Sequence, residues 1–99
     1  MSSFKLTVKA KKDLRKIAIH TEKHWGKKQR NIYIKQFDDV FHILASSPQT
    51  GKACDYIKKG YRKFPQNSHI VFYRIKNDEL IEIVRILHKK MDYTLHFQA

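Results

Sequence analysis

The segment "SHIVFYRIKNDELIEIVRILH", Ser68 to His88, constrains the fold more than any other. It holds two apolar runs, Ser68 to Lys76 and Leu80 to His88, on either side of Asn77-Asp78. Val, Ile, Phe and Tyr suit a pleated surface, and Asn-Asp suits a tight turn. Two runs this close in sequence predict an antiparallel pair. A third run, Tyr56 to Phe64, precedes them across "PQN". A sheet with an apolar face needs a cover.

The N-terminal half supplies one. Phe4 to Lys9, "FKLTVK", alternates apolar and polar residues and predicts a half-buried strand. Ala10, Leu14, Ile17, Ala18, Thr21 and Trp25 then recur at three- and four-residue steps, as on one stripe of a helix. Gly26 suits that helix's C-terminus. Tyr33, Phe37, Val40, Phe41 and Leu44 line a second helix from about Lys27 to Ser47. Ile32 and Ile43 lie off its stripe and predict a second covered side. Two helices separated by one glycine predict a hairpin. "SSPQTGKACD" reads as a loop. The expected fold is therefore α+β, in the order β-α-α-β-β-β: an antiparallel four-stranded sheet with a helical hairpin on one face. The length predicts a single domain over residues 1–99.

Charge bounds the partners. The formal net charge is +12, from 21 Lys and Arg against nine Asp and Glu. Solubility alone asks for a magnitude of roughly 2–8 on a small domain. The excess predicts an anionic partner: nucleic acid, a nucleic-acid enzyme or an acidic protein. Cys54 is the single cysteine, which suits a reducing compartment. "MSSFKLTVKAKK" has no apolar signal core, and no run approaches the roughly 18 apolar residues of a membrane span. These features predict a cytoplasmic protein.

Two arginines interrupt the apolar strands. A two- or four-residue loop at Asn77-Asp78 puts Arg74 and Arg85 on one sheet face, with Arg62 on the preceding strand as a third candidate. Either they form a cationic patch, or each pairs with a carboxylate such as Glu82 or Asp92 or reaches past the sheet edge. The two readings differ in outcome. Loss of a free Arg85 leaves stability unchanged or higher; loss of one in a buried pair costs roughly 3–5 kcal/mol. The tail after His88 adds no expected core strand.

Catalytic patterns are sparse. The six histidines stand in no nucleophile motif. His20 and His24 have i, i+4 spacing but no evident third ligand, so no metal and no cofactor are expected. RNA cleavage requires cations and proton-transfer groups together. Arg74 and Arg85 can supply the first, and His88, Tyr93 or His96 the second. His88, however, lies an odd number of positions from Arg85 and faces the other way in a continuous strand.

"DLRKIAIHTEKHWG", "GYRKF", "SHIVFYRI" and "IVRILHKKMD" together resemble the ParE family of bacterial toxins, within the RelE/ParE superfamily, in order over nearly the whole chain. The resemblance implies the fold just described and a toxin of a type II toxin–antitoxin pair. ParE members inhibit DNA gyrase by trapping it with cleaved DNA, whereas the RelE branch cleaves mRNA on the ribosome. Arg74 and Arg85 match the basic strand positions, and His88-Lys89-Lys90-Met91-Asp92 matches the ParE ending. The implied target surface is Arg62, Arg74, Arg85, His88, Lys89, Lys90 and Met91, without a catalytic residue. The implied partners are DNA-bound gyrase and an acidic ParD-like antitoxin, with Ile32 and Ile43 as its candidate contact. The alternatives are a RelE-type ribosome-dependent ribonuclease and a simple nucleic-acid-binding module using Tyr61, Phe64 and Tyr73.

Overall fold

The computed structural model describes residues 3–91 and 93–97. Its order is β1 (Ser3–Leu6), α1 (Val8–Ser46), a 3₁₀ turn (Pro48–Thr50), β2 (Lys52–Ala53), β3 (Tyr61–Gln66), β4 (His69–Asn77), β5 (Leu80–His88) and α2 (Tyr93–His96). The sheet has five strands in the order β1-β5-β4-β3-β2. β1 runs parallel to β5, and the other pairs are antiparallel.

This corrects the expected four-stranded antiparallel sheet. The two-residue β2 is too short to leave a pattern in sequence. β1 opens the chain and pairs in parallel with the last strand, β5; α1 and strands β2 to β4 lie between them, a connection long enough for a parallel pair. The third run also begins later than expected: Tyr56 to Gly60 is a turn, and pairing starts at Tyr61.

The expected helical hairpin is corrected as well. One long helical segment spans Val8–Ser46, broken only at Gly26, with no loop between its two arms. Thr7 starts it: its Oγ1 accepts the Ala10 N–H at 3.0 Å and donates to the Val84 carbonyl at 3.0 Å. Gly26 interrupts the helical path at φ 90°, ψ 171°, a conformation that a side chain would strain. A straight helix of 39 residues would measure about 58 Å. The longest dimension of the chain is 37 Å, so the two arms do not lie in line.

The sheet is covered on both faces. Ala10, Ile17, Phe37, Phe41 and Leu44 of α1 pack on Val71, Tyr73, Ile81, Ile83 and Ile86. The opposite face buries Cys54, Phe72, Val84 and Leu87. There the tail returns: the Tyr93 and Phe97 rings stand 5.2 and 4.9 Å from that of Phe72. Trp25, expected on the buried stripe, is 73 % exposed beside the Gly26 kink. A bulge explains how one strand serves both cores. Tyr73 pairs with Ile83 and Phe72 with Arg85, so Val84 is the extra residue. Ile83 and Ile86 face α1, while Val84 and Leu87 face away from it.

Candidate functional site

The strand arginines meet in one recess of about 440 Å³. Arg74 and Arg85 line it with Lys9, Lys58, Tyr61 and His96. Both arginines are already engaged. Arg74 Nε donates to Glu82 Oε1 at 2.8 Å. Arg85 forms a two-pronged pair with Asp13, Nε to Oδ2 at 2.7 Å and Nη2 to Oδ1 at 2.9 Å. The two side chains are only 15 % and 10 % exposed. The hydrogen bond to Asp13 raises the guanidinium pKa further, so Arg85 stays charged.

Asp13 has a second task. β1 covers β5 only from Leu80 to Ile83, leaving the outer edge open beyond that point. Asp13 Oδ2 accepts the Ile86 N–H of that edge at 3.0 Å. Sequence reasoning missed this partner, although Asp13 falls on the apolar stripe with Ala10 and Ile17. A carboxylate on a buried stripe needs a cation opposite it. Asp92, the other carboxylate considered, lies outside the described residues.

Arg62 stands apart from this recess. Its Nε donates to the Gly51 carbonyl at 2.9 Å and its Nη2 to that of Gln49 at 3.3 Å, tying down the loop before β3. The Tyr73 hydroxyl holds the same loop, accepting from Gly51 N–H at 2.8 Å and donating to Pro48 O at 2.7 Å.

His88 belongs to a second, open recess of about 530 Å³, with His20, Trp25, Tyr33 and His69. The His69 and His88 rings are 5.4 Å apart, and Tyr33 Oη lies 2.7 Å from His69 Nδ1. Burial, then the nearby His88 and His20, lowers the His69 pKa to about 4. His69 is therefore neutral near pH 7 and shares a hydrogen bond with the tyrosine hydroxyl through Nδ1. Its folded value lies below the ordinary 6.5, so the unfolded chain binds this proton more readily. Its contribution to stability is complete above about pH 6.5 and is lost as pH falls toward about 4. The loss is on the order of 2 kcal/mol for this half-buried, partly screened ring. Urea unfolding of the wild type and His69→Gln at pH 7 and pH 4.5 measures it. The acid loss should be smaller in the variant; equal losses would remove His69 as its source. The His20 and His24 rings stand 4.3 Å apart, tilted to each other, but no group of three metal-ligating side chains exists among the described residues.

Past β5, the Lys89 N–H donates to Ser68 O at 2.9 Å, and its carbonyl accepts the Tyr93 hydroxyl at 2.8 Å. The backbone is thus anchored, while the Lys89, Lys90 and Met91 side chains are exposed. Ile32 and Ile43, eleven residues apart, are 43 % and 52 % exposed on one side of α1. The anticipated target residues therefore fall into three places: Arg74 and Arg85 in one recess, Arg62 on a loop, and His88 to Met91 at the strand exit.

Comparison with known proteins decides the family. Residues 4–93 match the model of the ParE toxin of the type II toxin–antitoxin system parDE. The chain belongs to the ParE toxin family. It is 36 % identical over 91 residues to Toxin ParE1 of Mycobacterium tuberculosis, covering 92 % of this chain and 93 % of that one. The ParE architecture also aligns with a structure described as the chromosomal ParDE TA system from P. aeruginosa. The TM-score is 0.75 at 23 % identity, over 89 % of this chain and 96 % of the other. The RelBE2 toxin–antitoxin complex of M. tuberculosis follows, with a TM-score of 0.64 at 17 % identity, over 89 % and 98 %. These two likenesses concern the fold alone. As a ParE-family chain, the protein is the toxin of a type II pair, a class that implies a cognate antitoxin. No helix among the described residues is long and apolar enough to cross a membrane.

Proposed function

We propose that this ParE-family toxin acts in the cytoplasm by inhibiting DNA gyrase, stabilising the enzyme's complex with cleaved DNA. An acidic ParD-like antitoxin holds it inactive until released. One observation carries the reading: the strand arginines are committed to ion pairs with Glu82 and Asp13, whereas Lys89, Lys90 and Met91 are exposed on an anchored backbone. The contact to gyrase centres on those three residues, flanked by His88 and Arg74. Arg62 and Arg85 act mainly through the fold. The toxin needs no chemistry of its own, because gyrase already cuts DNA. Ile32 and Ile43 give the antitoxin an apolar grip on α1, and its acidic residues meet the surplus positive charge.

His96 favours a second reading, ribosome-dependent RNA cleavage, because it shares the recess of Arg74 and Arg85. Cations held by carboxylates are poorly placed to clamp a phosphate, which favours the gyrase reading. Growth assays with Lys89→Glu/Lys90→Glu and with His96→Ala separate the two. The lysine variant should lose toxicity by at least tenfold in viable count at an unchanged melting temperature, and His96→Ala should remain toxic. The opposite pattern would move the function to RNA.

A further inference from the structure

The first arm of α1 carries a charge pattern that the gyrase reading does not use. Between Lys9 and Lys28 there are eight Lys or Arg and two carboxylates. Both carboxylates are taken: Asp13 by Arg85 and Glu22 by Arg30. Lys9, Lys12, Lys16, His20 and Lys23 recur at three- and four-residue steps, and all are exposed. They form one stripe along the helix. The four lysines make no ion pair among the described residues.

The stripe meets two recesses. Lys9 lines the Arg74–Arg85 recess, and His20 lines the recess of Trp25 and His88. Lys9 to Lys23 spans about 21 Å at 1.5 Å per residue, with a basic residue about every 5 Å. The phosphates of one strand of B-form DNA follow every 3.4 Å along the axis, so the stripe fits a strand drawn out beyond that step. The recess beside His20 is lined by aromatic, amide, hydroxyl and imidazole groups, with no Lys, Arg, Asp or Glu. Trp25 offers an exposed ring face there, and Gln29 and Asn67 offer amide donors and acceptors. His69 is neutral.

We infer that this stripe and recess form a site for single-stranded nucleic acid: the lysines track the backbone, and one unstacked base enters the recess against Trp25. Uncharged polar groups beside an aromatic face suit a base, whereas phosphates stay on the lysines. A paired base is held in its stack and cannot enter, so a single strand should bind better than a duplex. An acidic peptide would meet the same lysines but find no lysine or arginine in the recess for its carboxylates. The site goes beyond the gyrase reading, and its test contains no gyrase, so the two can fail separately.

Trp25 is the only tryptophan, so its fluorescence reports on the recess directly. The full chain is titrated with a twelve-nucleotide oligo-dT, with the corresponding duplex and with poly-glutamate. A labelled oligonucleotide gives affinity by anisotropy. Oligo-dT should quench Trp25 and bind at least tenfold more tightly than the duplex. The log–log salt slope should be about −3, as four lysines imply for a single strand. Lys12→Glu/Lys16→Glu/Lys23→Glu should lose at least tenfold in affinity with an unreduced melting temperature. Trp25→Ala should keep the salt slope but lose the preference for a single strand. Binding without Trp25 quenching, or equal affinity for the duplex, would overturn the recess assignment. Poly-glutamate binding as tightly as oligo-dT would make the stripe a protein-docking surface instead.

Discussion

Replacing Arg85 by Ala lowers the free energy of unfolding by roughly 3 kcal/mol, toward the lower end of the cost of breaking a buried ion pair. Asp13 is then left with a charge and only the Ile86 N–H to satisfy it. Asp13→Ala has a cost of the same order, because it strands both the guanidinium and the N–H on the open edge of β5. The double variant costs less than the sum of the singles, since each single change already breaks the pair. Thermal melts should show drops of roughly 10–20 °C for the single variants of this small domain. Toxicity should fall in step with folding. An unchanged melting temperature in Arg85→Ala would show that the pair contributes nothing and return Arg85 to the target surface.

Ending the chain after His88 should cost about 3 kcal/mol. Sequence alone suggested that this tail could be removed without loss of core. In the fold, Tyr93 and Phe97 cover Phe72, which is fully buried on the sheet face away from α1. Truncation therefore exposes an apolar surface as well as removing Lys89 and Lys90. Tyr93→Ala/Phe97→Ala separates these effects. It should melt nearly as early as the truncated chain while retaining both lysines. If it melts like the wild type, the tail is a functional appendage and not part of the core.

The local elements were legible because their patterns are local. β4 and β5 announce themselves by β-branched and aromatic runs around a turn, and the buried Phe37, Val40, Phe41 and Leu44 follow a helical period. What was missed depends on distant or singular geometry. The partner of Arg85 lies 72 residues away, and no window that reads a strand includes it. The extra residue at Val84 re-aims the rest of β5, yet "IVRILH" reads the same with or without a bulge. Gly26 signals an end to helical geometry, but not whether the helix resumes at once. Trp25 shares the spacing of the buried stripe, yet it is exposed beside the break at Gly26. For the site, charge predicted an anionic partner; position alone did not show that Arg62 and Arg85 spend their donors on the fold.

The most direct test is the DNA state of gyrase itself. Purified toxin is incubated with gyrase, ATP and plasmid, the mixture is treated with detergent and protease, and linear DNA is measured. The proposed function predicts that linear plasmid accumulates with toxin concentration while supercoiling stops. It also predicts that Lys89→Glu/Lys90→Glu abolishes both effects and that added antitoxin suppresses them. Unchanged supercoiling with no linear product, from a chain that folds and arrests growth, would contradict it.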